Sequence, residues 1–96
     1  YPDSGLIDNA QYWLAETYYV TKDYATALPT FSKVISDYPT SRKVPDALLK
    51  IGYSNYGLSN WADARKALTA VVARYPETTA ARLAGQRLDQ MKSEGN

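Results

Sequence analysis

Tyr38-Pro39-Thr40-Ser41 is one of three copies of a single short phrase. Tyr1-Pro2-Asp3-Ser4 opens the chain and Tyr75-Pro76-Glu77-Thr78 returns near its end, so the phrase recurs every 37 residues. A fixed period in this range is the mark of stacked supersecondary units. Each proline follows an apolar run and lacks a backbone donor, so it stops the preceding helix. The Ser or Thr two residues later can accept from the free N–H groups that open the next helix. Each copy is therefore a stop, a turn and a start. Tyr1-Pro2 stops a helix that the sequence does not contain, so the chain reads as a piece of a longer protein with a preceding repeat.

Laying the copies over one another at this step brings like residues into columns. Ala10, Ala47 and Ala84 coincide, as do Leu14, Ile51 and Leu88. Ala15 meets Gly52, Tyr19 meets Tyr56, and Tyr24 meets Trp61. Further on, Ala27 meets Ala64, Phe31 meets Leu68, Val34 meets Val71 and Ile35 meets Val72. Within each copy the apolar residues step by three and four, which is helical spacing. The pattern predicts five helices. They cover about 6–20 with Ser4 or Asp8 as cap, 24–37 capped by Asp23, 43–57 with Pro45 in its first turn, 61–74 capped by Asn60, and 79–93 capped by Thr78. The connections at 21–23 and 58–60 are short and force antiparallel neighbours. Gly57 suits the turn after the third helix, where a positive φ is tolerated. Pro29 falls inside the second helix, where it should displace the Ala25 carbonyl and kink the axis. The alternative start near Thr26 would strand Tyr24 and Ala25 in the turn.

Composition bounds the function. Ninety-six residues form a single small domain, able to bury roughly 60–65% of the chain's surface. Eleven basic and ten acidic residues leave a net charge of +1, and no basic stripe appears that would suit nucleic acid or a membrane surface. No apolar run approaches the ~20 residues of a membrane span, and no signal peptide is visible. The absence of cysteine leaves the redox compartment undiagnosed. Histidine is absent too, so the commonest base, the commonest metal ligand and the best nucleophile are all missing. The carboxylates are dispersed and no Gly-rich phosphate loop appears, so the sequence calls for no enzyme, cofactor or metal. Tyrosine supplies nine of the twelve aromatics, a choice that suits a binding face because the ring packs while the hydroxyl stays wet.

The columns resemble the tetratricopeptide repeat (TPR), a helix–turn–helix unit with small and large residues at set places. The first copy supplies Leu14, Ala15, Tyr18, Ala27, Phe31, Val34 and Pro39; the second supplies Ile51, Gly52, Ala64, Leu68, Val71 and Pro76, with Asn55 in place of the aromatic. The family's usual period is about 34 residues, and the extra three here lengthen the connection around the proline. The resemblance implies an all-α helix-turn-helix solenoid of about five antiparallel helices. Its repeats would span about 5–39 and 42–76, with a capping helix over 79–93. Ala15, Gly52, Ala27 and Ala64 fall where the two helices of a unit come closest.

A narrower resemblance rests on the runs Asn9–Glu16, Lys43–Tyr53 and Ala80–Ala84. These look like the C-terminal domain of the YbgF (CpoB) family of the periplasmic Tol–Pal system. It implies a periplasmic adaptor that binds TolA, and possibly a peptidoglycan synthase, and links peptidoglycan synthesis to outer-membrane constriction at division. The full-length protein would be trimeric through an N-terminal coiled coil outside this sequence. The alternative is a scaffold subunit of outer-membrane assembly resembling BamD. Heptads behind a signal peptide would mark the first, a lipidated cysteine the second.

In such a solenoid the first helix of each unit lines the concave side. By the family pattern the inward positions are Asn9, Tyr12, Glu16 and Tyr19, then Asp46, Leu49, Tyr53 and Tyr56, then Leu83, Gln86 and Gln90. Tyr12, Tyr19, Tyr53 and Tyr56 would floor a groove for an extended or helical protein segment. Against this stands the plainer reading that Tyr12 and Tyr19 only pack on neighbouring helices. Trp61 reads as a ring packed over its turn, and Trp13 suits either role. Arg42-Lys43 reads as a solvated loop pair, or as contact for an acidic partner.

Overall fold

The computed structural model describes residues 5–96. Five helices follow one another: α1 (Gly5–Val20), α2 (Tyr24–Asp37), α3 (Val44–Gly57), α4 (Trp61–Arg74) and α5 (Thr79–Ser93). Each lies within one residue of the range that the apolar spacing predicts. Every helix packs on its neighbours in sequence, and α3 also touches α5. The result is a slab of 45 × 29 × 17 Å with first helices α1, α3 and α5 in one layer and second helices α2 and α4 in the other.

The 37-residue period reappears in the backbone. Asp23 and Asn60 precede α2 and α4 with φ, ψ of −87°, 69° and −86°, 75°. Tyr38 and Tyr75 end those helices at −133°, 60° and −131°, 53°, their amides donating to Val34 and Val71 at 3.0 and 2.9 Å. Lys22 and Ser59, one period apart, are the two non-glycine residues with positive φ, 65° and 63°. Equivalent sequence thus yields equivalent turns.

The turn chemistry departs from expectation in three places. Gly57 has no positive φ and closes α3 as its last residue; the left-handed residue is Ser59. Gly57 instead makes room for Tyr24, because a Cβ there would lie 2.4 Å from that ring. Asn60 does not cap α4 with its side chain; its Nδ2 reaches Asn55 Oδ1 at 3.4 Å, so Asn55, the departure from the aromatic column, fastens the turn. Asp8 lies inside the first turn of α1, where its carboxylate accepts the Asn9 amide (2.9 Å) and the Ser41 hydroxyl. The alternative cap, Ser4, lies outside the described residues, as does the first Tyr-Pro phrase. Asp23 and Thr78 do cap, accepting from Thr26 N at 3.4 Å and Ala81 N at 3.1 Å.

Pro29 does not break α2, which runs unbroken from Tyr24. Its first bond, Ala27 N to Asp23 O at 3.0 Å, excludes a start at Thr26. Pro29 and Ala25 are both exposed, so the carbonyl that the ring deprives of a donor lies where water can reach it.

Two cores form, one per unit. Phe31 and Val34 fill the first, with Tyr12, Ala15, Ala27 and Ala47; Leu68 and Val71 fill the second, with Leu49, Ala64, Ala80, Ala81, Ala84 and Met91. Phe31 and Leu68 are fully buried equivalents, each contributing about 1.5–3 kcal/mol. The small columns act as the close-approach reading requires. A Cβ on Gly52 would stand 2.6 Å from Leu68 Cδ2 and 3.5 Å from the Ala64 carbonyl.

Candidate protein-binding face

Because α1, α3 and α5 share one layer, residues somewhat less than a period apart on them become lateral neighbours: Lys50 and Tyr53 on α3 reach Tyr19 on α1, and Arg87 on α5 reaches Tyr53 and Tyr56 on α3. The result is a row of alternating rings and cations. Lys43 Nζ lies 4.7 Å from the Tyr12 ring centroid and 5.1 Å from that of Trp13. Lys50 Nζ lies 4.3 Å from Tyr19 and 6.0 Å from Tyr53. The Arg87 guanidinium lies 4.2 Å from Tyr53 and 4.8 Å from Tyr56. Tyr19 and Tyr53 approach to 6.4 Å, which joins α1 to α3 across the face. Each cation over a ring is worth about 0.5–1 kcal/mol at an exposed site, and together they hold the rings in place.

Not every residue expected here is part of this row. Leu49, only 3% exposed, belongs to the second core and offers a partner no surface. Tyr12, 6% exposed, packs edge-on against Phe31 at 5.5 Å and serves mainly the first core. Burial, followed by the nearby Glu16 and Asp46 charges, pushes its hydroxyl well above the ordinary 10.0. Gln86 shares their column but is exposed, outside the ring-and-cation row. That column faces the second helix of its own unit, which buries Tyr12 and Leu49. Leu83 is half-buried against the second core. Asn9 and Asp46 are half-buried at the openings of α1 and α3. Trp13 is exposed beside Lys43, and Trp61 packs on Tyr56 at 5.3 Å over its turn.

Glu16, Tyr19, Tyr53, Tyr56 and Gln90 do come together. Glu16 pairs with Lys50 at 3.2 Å. The Tyr56 hydroxyl donates to Glu94 Oε1 at 2.7 Å, while Gln90 Nε2 donates to Glu94 Oε2 at 3.0 Å and to the Tyr56 oxygen at 3.2 Å. The bond to Glu94 raises the pKa of Tyr56 and, from the other side, lowers that of Glu94. Burial comes first in raising Tyr19, followed by its neighbour Tyr24. Lys50, Arg87 and Glu94 are the members that the sequence reading missed. The signal for two of them was present: positions 50 and 87 are one period apart and both cationic. Lys43, read as half of a solvated loop pair or as contact for an acidic partner, is instead half-buried over the Tyr12 and Trp13 rings. Among the described residues no group of three His, Cys, Asp or Glu gathers as a metal site would need, and no helix is long and apolar enough to cross a membrane.

Paired antiparallel helices repeated at a fixed step, with first helices lining one face, define a helix-hairpin repeat protein built to hold other proteins. The tetratricopeptide repeat profile matches residues 9–41 and 46–78, most of the chain, at the same 37-residue offset. The chain belongs to the tetratricopeptide repeat family. No curated protein matches the sequence.

Proposed function

We propose that the face built by α1, α3 and α5 binds a segment of a partner protein laid across Tyr19, Tyr53 and Tyr56. The observation that carries this is the continuous row of rings and cations crossing three helices that are far apart in sequence. Tyrosine and arginine are the side chains that concentrate binding energy at interfaces, and here they are held in place before a partner arrives.

The biological setting that fits best is a periplasmic adaptor of the YbgF (CpoB) type. Its partner would be TolA, with a peptidoglycan synthase as a second, linking wall synthesis to outer-membrane constriction at division. This rests on the runs Asn9–Glu16, Lys43–Tyr53 and Ala80–Ala84. Trimerisation of the full-length protein through a coiled coil belongs to the same reading. Recovery of TolA from periplasmic extract with this chain as bait is the expected result; recovery of outer-membrane assembly subunits instead would favour the scaffold alternative. Converting Tyr53 and Tyr56 together to Ala should weaken capture roughly 30-fold while far-UV helicity persists. Equal capture by the folded variant would remove the face from consideration.

A further inference from the structure

Trp13 and Tyr12 make an aromatic corner at the α1 end of the face. Their rings stand edge-on at 86° with centroids 5.1 Å apart, and the Lys43 ammonium lies against both, 4.7 Å from Tyr12 and 5.1 Å from Trp13. The corner already holds a cation, and the rings are what hold it. Among the described residues the single ion pair is Lys50–Glu16, so no carboxylate comes within 4.0 Å of Lys43. The Lys43 backbone is fixed separately: its amide donates to the Ser41 hydroxyl at 3.0 Å and its carbonyl accepts from the Ala47 amide at 2.8 Å. The side chain can therefore swing into solvent without moving the chain.

Around the corner the charge is negative. Glu16 follows Tyr12 and Trp13 by one turn of α1, the spacing at which helical side chains meet. Lys50 meets one Glu16 oxygen at 3.2 Å without hydrogen-bond geometry and the other at 3.4 Å, so the carboxylate keeps acceptor capacity to spare. Burial comes first in raising the pKa of Tyr12, but the Glu16 and Asp46 charges add to it, so both carboxylates act on that ring. The α1–α2 hairpin as a whole sets Asp8, Glu16, Asp23 and Asp37 against Lys22 and Lys33. Trp13, 55% exposed, is also the most open ring of the face; Tyr19, Tyr53 and Tyr56 are half-buried, with Lys50 and Arg87 over them.

We propose that Trp13 and Tyr12, with the Glu16 carboxylate alongside, receive a guanidinium or ammonium side chain of the bound protein segment, in the position that Lys43 holds in the free chain. This rests on the partner-binding reading above and names the chemistry of the partner. An arginine suits the corner best, because its planar, weakly hydrated guanidinium stacks on aromatic rings while its N–H groups reach a carboxylate. Trp13 is the specificity-determining residue, and Lys43 is the internal cation that the partner displaces.

The test uses capped peptides of neutral background, identical except for a central Arg, Gln or Glu, titrated against the chain by NMR with the Trp13 indole N–H followed. The Arg peptide should bind about three- to fivefold more tightly than the Gln peptide, the range of a cation over an exposed ring. That preference should vanish in Trp13→Leu and survive in part in Trp13→Phe. Both changes fall at an exposed position, so the fold should persist, and circular dichroism checks it. Lys43→Gln, which removes the internal cation, should tighten the Arg peptide by about two- to fivefold. Equal binding of the Arg and Gln peptides, a preference for Glu, a preference unmoved by Trp13→Leu, or no gain in Lys43→Gln each overturns the assignment. Should Tyr53→Ala with Tyr56→Ala abolish capture of the natural partner while the peptides show no Arg preference, the tyrosine face stands and the cation site falls. Should that pair of changes leave capture intact while the Arg preference persists, the cation site stands and the tyrosine face falls.

Discussion

Replacing Gly52 by Ala sets two effects of known size against each other. Alanine in a helix interior is favoured over glycine by about 1 kcal/mol, so on propensity alone the variant should gain stability. Geometry opposes this. The new Cβ would lie 2.6 Å from Leu68 Cδ2 and 2.7 Å from Leu68 Cγ, against an ordinary carbon–carbon contact of about 3.5–4.0 Å. Leu68 is fully buried among Ala64, Val71 and the α5 alanines, so it cannot swing clear without disturbing them. Overpacking of this kind costs about 1–3 kcal/mol, and the severity of the overlap places it at the upper end. The net expectation is a loss of about 1–2 kcal/mol, or roughly 4–16 °C in Tm for a domain of this size. Urea and thermal unfolding followed by circular dichroism would read it. A double-mutant cycle isolates the cause. Leu68→Ala alone should cost about 2–5 kcal/mol, but in that background Gly52→Ala should become stabilising by about 1 kcal/mol. Stability equal to or above that of the parent for the single Gly52→Ala variant, or an unchanged sign in the Leu68→Ala background, would refute the close approach as the reason for the glycine.

Three further outcomes follow from the same packing. Ala10 and Ala47 share a column, but Ala10 is exposed while Ala47 is fully buried; Ala10→Lys should shift stability by no more than about 0.5 kcal/mol and Ala47→Lys should cost about 3–5 kcal/mol in chemical denaturation. Lys22→Gly and Ser59→Gly each relieve a left-handed residue at a turn and should raise stability by about 0.5–1 kcal/mol in the same assay. The hydroxyl of Tyr12 has a folded pKa raised above its unfolded value of 10.0, so its contribution is fully present below pH 10.0 and is lost as pH rises toward the folded value; stability should fall above pH 10.0, and Tyr12→Phe should flatten that fall. Absorbance titration of the phenolates checks it, since Tyr12 should ionise only with unfolding.

Much of the fold was legible because repetition supplied an internal control. One Tyr-Pro phrase is a turn signal; phrases 37 residues apart, with matched apolar columns between them, fix helix number, direction and boundaries together. The turns were less legible, because capping is decided atom by atom. Nothing in the chain said that Asn60 would prefer Asn55 to its own helix, or that Tyr24 would claim the space beside Gly57. The candidate site was half legible. Tyr19, Tyr53 and Tyr56 share the face as the helical spacing required, but Tyr12 and Leu49 lie far enough round their helices to be covered by α2 and α4. Lys50 and Arg87 escaped notice because charged residues on a helix usually mean a solvated face. What made them part of the row was the aromatic opposite, supplied by another copy.

Equal columns do not have equal fates, and the reason lies in the direction of stacking. Val44 and Ala47 on α3 are 3% and 0% exposed because α2 lies over them, and Ala81, Ala84 and Met91 on α5 are buried by α4 in the same way. The matching stripe on α1 holds Ile7 at 57% and Leu14 at 49%, with Ala10 between them exposed as well. Sequence equivalence confers the shape of an acceptor surface; only a second helix laid against it confers burial. The candidate face obeys the same logic from the other side. Tyr53 gains its place from Tyr19 of the copy before and Arg87 of the copy after, so neither unit alone would hold the ring between neighbours. The face is therefore a property of the stack. A change that loosens α5 in the stack, such as an enlarged Ala84, should reach it, because Tyr53 and Tyr56 pack against the core to which Ala84 belongs.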